Sequence, residues 1–151
     1  MTKPTATSRL LIHRPPREVF DAFASADTIR KFWLSATSGP LGPGAVVSWE
    51  FMVPGAKETT TVTAFESGRR IAFNWSTGMT VDMLFDPYKG DATRVSVTVG
   101  ELGAGNLVET VADVIEGFTI VMCDLKILLE QGRSANLVRD KAELIASSMK
   151  G

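Results

Sequence analysis

Cysteine and histidine are nearly absent from this sequence, which holds one of each, Cys123 and His13, among 151 residues. A single cysteine excludes an internal disulfide framework, and one histidine leaves too few Cys and His ligands for an ordinary zinc site. We therefore expect no metal and no cofactor. Cys123 is expected to behave as a small buried apolar group. His13 has no identifiable triad partner and is expected at the surface or at a strand end.

Neither sign of charge is in excess, since 16 Lys and Arg residues face 17 Asp and Glu residues for a formal net charge of -1. Such a balance provides no basic face for nucleic acid or anionic lipid, so we expect no nucleic-acid partner. The polar residues 1–9 are followed by only three apolar residues, which is typical of neither a signal peptide nor a membrane anchor. The sequence thus predicts a cytoplasmic protein without membrane insertion.

The length and the composition fit one domain, because 151 residues suffice for a single core and 44% of them are hydrophobic. No linker-like segment, repeat or low-complexity tract divides the chain. We expect one domain over residues 1–151, with a core at about 8–132 and a C-terminal extension at 133–151. The oligomeric state is left open between monomer and homodimer.

One long helix is expected over residues 106–131, because apolar residues recur there at intervals of three and four positions. Asn106 is a possible N-terminal cap, and Gly132 is the expected stop. At about 37 Å such a helix is longer than a strand of roughly 23 Å, so it must cross a sheet obliquely. The apolar side contains Leu107, Val111, Val114, Phe118, Val121, Met122, Leu125 and Leu129.

The middle of the chain alternates apolar and polar residues with a period of two, which indicates an antiparallel sheet covered on one face. The alternating apolar sets are Val47, Trp49 and Phe51; Ile71, Phe73 and Trp75; Val81, Met83 and Phe85; and Val95, Val97 and Val99. A threonine-rich strand around Thr59–Phe65 has no clear phase. With a first strand at Ser8–His13, the prediction is a six-stranded meander with turns at Pro54-Gly55, Ser67-Gly68, Thr77-Gly78 and from Asp86-Pro87 to Lys89-Gly90.

Two short helices are expected after the first strand. Pro15-Pro16 presets a helix start, and the helix ends near Ser25. Asp27 is a candidate cap for the second helix, which ends at Phe32-Trp33. A glycine- and proline-rich loop over 38–44 then leads into the sheet. A further short helix is expected around 140–146, near the C-terminus.

The order of these elements resembles the helix-grip fold of the START-like (SRPBCC) superfamily, an α+β fold in which a curved antiparallel sheet wraps around a long C-terminal helix. Local strings resemble the family named for the activator of the heat-shock protein 90 ATPase: residues 15–20 and 31–33, the hairpin of 62–66 and 70–75, and residues 117–119, 125–126, 129–130 and 132 on the long helix. The chaperone activator itself joins a separate N-terminal domain, which we do not expect here, so chaperone regulation does not follow from the resemblance.

The resemblance implies an apolar cavity between sheet and helix, and a minority of the superfamily are enzymes. The alternative is a core filled by side chains, because aromatic residues at core periods usually serve packing. Methionine adapts to irregular shapes and tryptophan can offer its ring N–H, which favours a pocket. The residues predicted to line it are Trp33, Trp49, Phe51, Phe73, Trp75, Met83, Phe85, Phe118, Met122 and Leu125.

We predict no catalytic residue, because a general acid or base must reach the substrate and no acidic side chain is expected on the inner face. Glu50 and Asp82 are out of step with the aromatic residues and are expected on the solvated face. Arg69 and Arg70 at a strand start are expected to pair with Glu66 or Asp82 on that face. Tyr88 is expected in a turn, near a loop or the pocket mouth. A reactive Cys123 thiol would need a nearby cation, for which Lys126 is the candidate.

Three hypotheses follow for the function. The first is a binding module for a small hydrophobic molecule, lipid-like or polyketide-like, without chemistry of its own. The second is a protein-interaction or chaperone-ATPase-regulating domain that binds a partner through its outer sheet face or its loops. The third is an enzyme of the cyclase or hydrolase type, which would require a buried titratable group with a perturbed pKa.

Overall fold

One antiparallel sheet forms a layer of the structure. The structure is a computed structural model and describes residues 3–150. Its seven strands are ordered β1-β7-β6-β5-β4-β3-β2, so every strand from β2 to β7 pairs with its neighbour in sequence and β1 closes the order beside β7. The strands are β1 (Ala6–Ile12), β2 (Leu34–Thr37), β3 (Val46–Phe51), β4 (Lys57–Glu66), β5 (Arg70–Trp75), β6 (Thr80–Tyr88) and β7 (Ala92–Gly100).

Four helices accompany the sheet: α1 (Pro16–Ala24), α2 (Ala26–Phe32), α3 (Leu107–Gln131) and α4 (Leu137–Lys150). Their positions confirm the predicted pair of short helices and the long one. Asn106 caps α3 by accepting a hydrogen bond from the Glu109 amide at 3.1 Å, and Gly132 ends it in the left-handed conformation with φ 81°. The expected cap of α2 was wrong, because Ser25 and not Asp27 accepts the first-turn amide hydrogen bond.

The sheet has seven strands and not six, because β2 was missed in the sequence. This strand is only four residues long, and a bulge between Leu34 and Ala36 interrupts its pairing with β3. A bulge places two residues of one strand opposite one residue of the other, so it breaks the alternation by which a strand is recognised. The first strand is also shifted by one or two residues, and the exposed His13 lies just after its end, as expected.

The undecided phase of β4 has the same physical cause. Thr60 and Val62 point inward and are buried, but the register with β5 shifts between Val62 and Ala64. Beyond that bulge the side chains change face, so no single phase describes the strand. The turn predicted to begin at Asp86-Pro87 was also misplaced, since β6 continues through Pro87 to Tyr88. Proline has no amide hydrogen to donate to a neighbouring strand. It is tolerated here because the pairing of β6 with β5 ends at Leu84.

The inner face of the sheet carries the predicted apolar residues, and α1, α2 and α3 cover it. Trp49 and Met83 are buried at 1% and 0% exposure, whereas the side chains of Glu50 and Asp82 on the other face are 48% and 41% exposed. The predicted strand phase is therefore confirmed. The α3 helix is fixed to β1 by polar links, among them the 2.6 Å hydrogen bond between the hydroxyls of Ser8 and Thr119.

Helix α4 is longer than the short helix expected at 140–146 and packs on α3 and α2. The ion pair between Glu116 and Lys141 bridges α3 and α4. Across residues 3–150, no helix combines the length and the apolar character needed to span a membrane.

Candidate functional site

A cavity of about 370 Å³ lies where four parts of the fold meet: the ends of α2, β3 and β5, the turn between β3 and β4, the middle of α3, and α4. Asp113, Gly117 and Ile145 belong to its lining and are exposed, so the mouth lies at the protein surface. Its lining consists of Trp33, Phe51, Met52, Val53, Ala56, Trp75, Asp113, Val114, Gly117, Phe118, Ile120, Val121, Val138, Lys141, Ala142 and Ile145.

Four aromatic rings form one wall of the cavity. The Trp33 and Phe118 ring centroids are 5.6 Å apart at an interplanar angle of 68°. Phe118 and Trp75 are nearly parallel at 6.0 Å and 14°, and Trp75 meets Phe51 edge-on at 5.8 Å. These are the offset and edge-to-face arrangements that aromatic pairs prefer. We call Trp33, Phe51, Trp75 and Phe118 the aromatic wall.

Local sequence explains how these rings converge. Phe51 and Trp75 are the last residues of β3 and β5, where alternation keeps them on the inner face. Trp33 directly follows the end of α2 and stacks edge-on against Trp49 at 5.0 Å, which ties the wall to the core. Phe118 comes from α3 and is 7% exposed. Each ring is thus held by a different element of the fold.

Helix α3 presents one continuous strip to the cavity. Gly117 lies at its centre, with Asp113 and Val114 one turn before it and Ile120 and Val121 one turn after it. A Cβ atom built on Gly117 would have no heavy atom within 4 Å. The glycine therefore leaves open space in the middle of the strip.

The structure divides the ten predicted lining residues into two groups. Four of them form the aromatic wall and lie on the cavity. The remaining six are at most 1% exposed and belong to the core without lining the cavity: Trp49, Phe73, Met83, Phe85, Met122 and Leu125. The role of the aromatic wall in ligand binding stays a prediction.

Sequence reasoning missed the contribution of α4 and of the β3–β4 turn. Val138, Ala142 and Ile145 on α4 line the cavity, as do Met52 and Val53 in the turn. A signal for α4 was present, because apolar residues at intervals of four and three positions mark one face of a helix. The turn residues had no comparable signal, since turns follow no periodic pattern.

Asp124 was also missed, and it corrects the expectation that no acidic side chain faces inward. Its side chain, on α3, is 1% exposed, and its carboxylate accepts hydrogen bonds from the Ser134 hydroxyl at 3.0 Å and from the Val138 amide at 3.3 Å. Val138 is in the first turn of α4, where free amides and the helix dipole favour an anion. Asp124 does not line the cavity and serves to hold α4 in place.

Only two ionisable side chains belong to the cavity lining that the described residues form, Asp113 and Lys141. Lys141 is paired with Glu116 of α3, which does not belong to the lining. The outer sheet face, by contrast, carries paired charges, and Arg70 binds Asp82 through two hydrogen bonds of 2.9 and 3.1 Å. This predicted pair is confirmed, and the Asp82 hydrogen bond and charge raise the pKa of Arg70.

The remaining candidate residues lie away from the cavity. Cys123 is half-buried and not fully buried as expected, and the Lys126 ammonium is bound to the Leu11 carbonyl oxygen and to Glu130. Tyr88 was expected in a turn but is the last residue of β6, 39% exposed. In the part of the chain that the structure covers, no three His, Cys, Asp or Glu residues are grouped to hold a metal ion.

Comparisons with solved structures place this fold among known ones. Protein SSP2350 from Staphylococcus saprophyticus matches with a TM-score of 0.77 and 22% identity over 87% of this chain and 95% of that one. DynU16, from the dynemicin biosynthetic locus, matches with a TM-score of 0.76 and 20% identity over 88% of this chain and 49% of that one. The Aha1 dimer from Colwellia psychrerythraea matches with a TM-score of 0.76 and 17% identity over 87% of this chain and 99% of that one. At these identities the similarity shows the fold alone.

Sequence comparison gives the family. No curated protein sequence matches the chain significantly. A family model described as activator of Hsp90 ATPase homolog 1-like protein matches residues 13–130, which run from the end of β1 to the last turn of α3 and leave α4 outside. The chain therefore belongs to the family of activator of Hsp90 ATPase homolog 1-like proteins, with the helix-grip fold of the START-like superfamily.

Proposed function

We propose that this chain is a binding module whose cavity takes a small hydrophobic molecule, lipid-like or polyketide-like, without chemistry of its own. The observation that carries this proposal is a space of about 370 Å³ with an almost entirely apolar lining, next to the buried apolar core. Small-molecule sites are concave, mostly apolar and about 300–1,000 Å³ in volume. The association of a structural relative with the dynemicin biosynthetic locus supports the polyketide-like class.

The aromatic wall favours a ligand with a flat apolar part. Trp75 and Phe118 lie nearly parallel to each other, at 14°, and both belong to the cavity lining. A planar group in this space gains dispersion and stacking contacts that an equal volume of water does not offer. Asp113 and Lys141 are the charged residues of the lining, so a polar end of the ligand is expected near these two side chains.

The test uses the neutral apolar fluorophore N-phenyl-1-naphthylamine with the full chain. Titration is expected to give saturable binding with increased fluorescence, and native mass spectrometry of the protein from its own host is expected to show a bound small molecule. Gly117→Trp should abolish fluorophore binding, because the new side chain starts in open space at the centre of the cavity strip. The variant should fold, since glycine inside a helix costs about 0.5–1 kcal/mol relative to alanine and its replacement removes that cost.

Gly117→Ala is the matched control. It also removes the glycine from the helix interior but adds only one methyl group, so the variant should gain stability and retain binding. Two results would contradict the proposal: no saturable binding by the wild-type protein, or equal affinity of the wild type and a folded Gly117→Trp variant. Circular dichroism and thermal unfolding of each variant establish that it is folded.

A further inference from the structure

We infer that α4 is the gate of this cavity, a wall that swings away from α3 and widens the mouth to admit or release the ligand while the rest of the fold keeps its packing. The inference rests on the proposed function and adds a route of entry. Helix α4 contributes four residues to the lining: Val138, Lys141, Ala142 and Ile145. If α4 moved off α3, the cavity would open along the whole of that side.

Packing holds α4 weakly. Ala142 is the one fully buried residue described in this helix, whereas Leu144, Ile145 and Met149 are 68%, 38% and 70% exposed. Helix α3 differs, since Phe118, Val121, Met122 and Leu125 are all buried. Elements with few buried apolar contacts open locally at a lower free-energy cost than the core does. Helix α4 is therefore expected to open more easily than α3.

The segment that joins α3 to α4 has the backbone conformations of a hinge. Gly132 at its start has φ 81°, and Asn136 at its end has φ 59°. Glycine and asparagine are the residues that most readily take left-handed conformations, and hinges are a few terminal residues of elements that absorb changes in φ and ψ. A rotation at these two positions moves α4 as a unit.

Polar links at two points close the gate. Asp124 accepts hydrogen bonds from Ser134 and from the Val138 amide, at the hinge end of α4. One turn further along α4, Lys141 pairs with Glu116 on α3. Within residues 3–150, these are the side-chain hydrogen bonds and the ion pair that join α3 to α4 and to the segment before it. Asp124 is thus a positioning residue, which acts on the cavity through α4.

Hydrogen exchange of the ligand-free protein tests the opening directly. Amides of residues 138–149 are expected to exchange at least about tenfold faster than those of 118–125, because local opening precedes global unfolding. Asp124→Ala should accelerate exchange in α4 and leave 118–125 unchanged, and Asp124→Asn, which keeps one acceptor oxygen, should recover part of the protection. Equal exchange of the two segments, or no effect of Asp124→Ala on α4, would overturn the gate.

Ligand kinetics provide the second measurement. Cysteines replace Glu116 and Lys141 in a Cys123→Ser background, and a short bismaleimide joins them so that α4 stays closed. Stopped-flow mixing with N-phenyl-1-naphthylamine should show association and dissociation slowed by at least about tenfold relative to the same variant without the linker. A linked Lys3→Cys, Glu101→Cys pair, placed at another ion pair far from α4 in sequence, is the control and should not change either rate.

The possible outcomes separate the gate from the proposed function. If the linked protein binds and releases the fluorophore at the rates of the unlinked protein, α4 is not the gate and the binding module stands. If the wild type shows no saturable binding, the binding module fails and the gate fails with it. Slower exchange of the fluorophore in the linked protein, together with faster amide exchange in Asp124→Ala, supports both.

Discussion

Thr60 and Trp75 face each other across β4 and β5, and the indole Nε1 of Trp75 donates a hydrogen bond of 3.1 Å to the Thr60 hydroxyl. Thr60 is completely buried, while Trp75 is half-buried and belongs to the aromatic wall. The tryptophan N–H, considered from the sequence as a donor to a ligand, is therefore already used within the protein. This hydrogen bond fixes the orientation of the Trp75 ring in the aromatic wall.

Thr60→Val tests this relationship. Valine has nearly the shape of threonine but no acceptor, so the indole N–H loses its partner at a cost of about 1–3 kcal/mol in the free energy of unfolding. Urea denaturation measures this loss. Thr61→Val is the matched control, because Thr61 is the next residue on the exposed face and its change should stay within about 0.5 kcal/mol. Equal effects of the two substitutions would show that the hydrogen bond contributes nothing.

Glu130 gives a prediction for pH. Burial alone raises the pKa of this carboxyl group, but hydrogen bonds from the His13 amide at 2.8 Å and the Lys126 ammonium at 2.7 Å outweigh that effect, and the pKa lies below its ordinary value of 4.5. A group whose pKa is lowered by folding stabilises the folded state above its unfolded pKa. That contribution is lost as the pH falls through the folded pKa.

We therefore expect Glu130→Gln to destabilise the protein at pH 7 and the difference from wild type to shrink as the pH falls below 4.5, the ordinary pKa of the group. Urea unfolding of both proteins between pH 3 and pH 7 measures the difference. Glu143→Gln on the exposed side of α4 serves as the control. A difference that stays constant across this range, or grows at low pH, contradicts the assignment.

Periodic patterns predicted most of the fold. The strip of apolar residues on α3 and the alternation in β3, β5, β6 and β7 each correspond to a buried face. Leu107 is the exception, because it is the first residue of α3 and is 41% exposed. Two bulges account for the missed strand β2 and the undecided phase of β4, since each changes the phase of side chains within a strand. Burial periodicity is thus a reliable signal wherever the strand is regular, and it fails where the backbone departs from regular pairing.

The candidate site was harder to predict, because a residue on the inner face either fills the core or lines an open space. Met122 and Phe118 are one helical turn apart on α3, yet Met122 is fully buried and Phe118 lies on the cavity. Their difference depends on what α4 and the β3–β4 turn place above them. The periodicity of α3 does not predict that arrangement. The role of Asp124 in positioning α4 could not be predicted either, because a single acidic residue forms no periodic pattern.

Gly100 and Thr80, which pair across β7 and β6, supply a third prediction. A Cβ atom on Gly100 would lie 2.9 Å from the Thr80 Oγ1, which is closer than non-bonded atoms allow, and threonine has few other rotamers to adopt. We expect Gly100→Ala to destabilise the protein by about 1–3 kcal/mol through overpacking. Thermal or urea unfolding measures the change.

The partner substitution reverses the sign of this effect. In a Thr80→Ala background the oxygen is absent, so Gly100→Ala should stabilise the protein by about 0.5–1 kcal/mol, the ordinary gain when a glycine inside a strand is replaced. The two positions would then show a coupling energy of about 1 kcal/mol or more in a double-mutant cycle. If Gly100→Ala has the same effect in both backgrounds, the contact with Thr80 is not what requires glycine at this position.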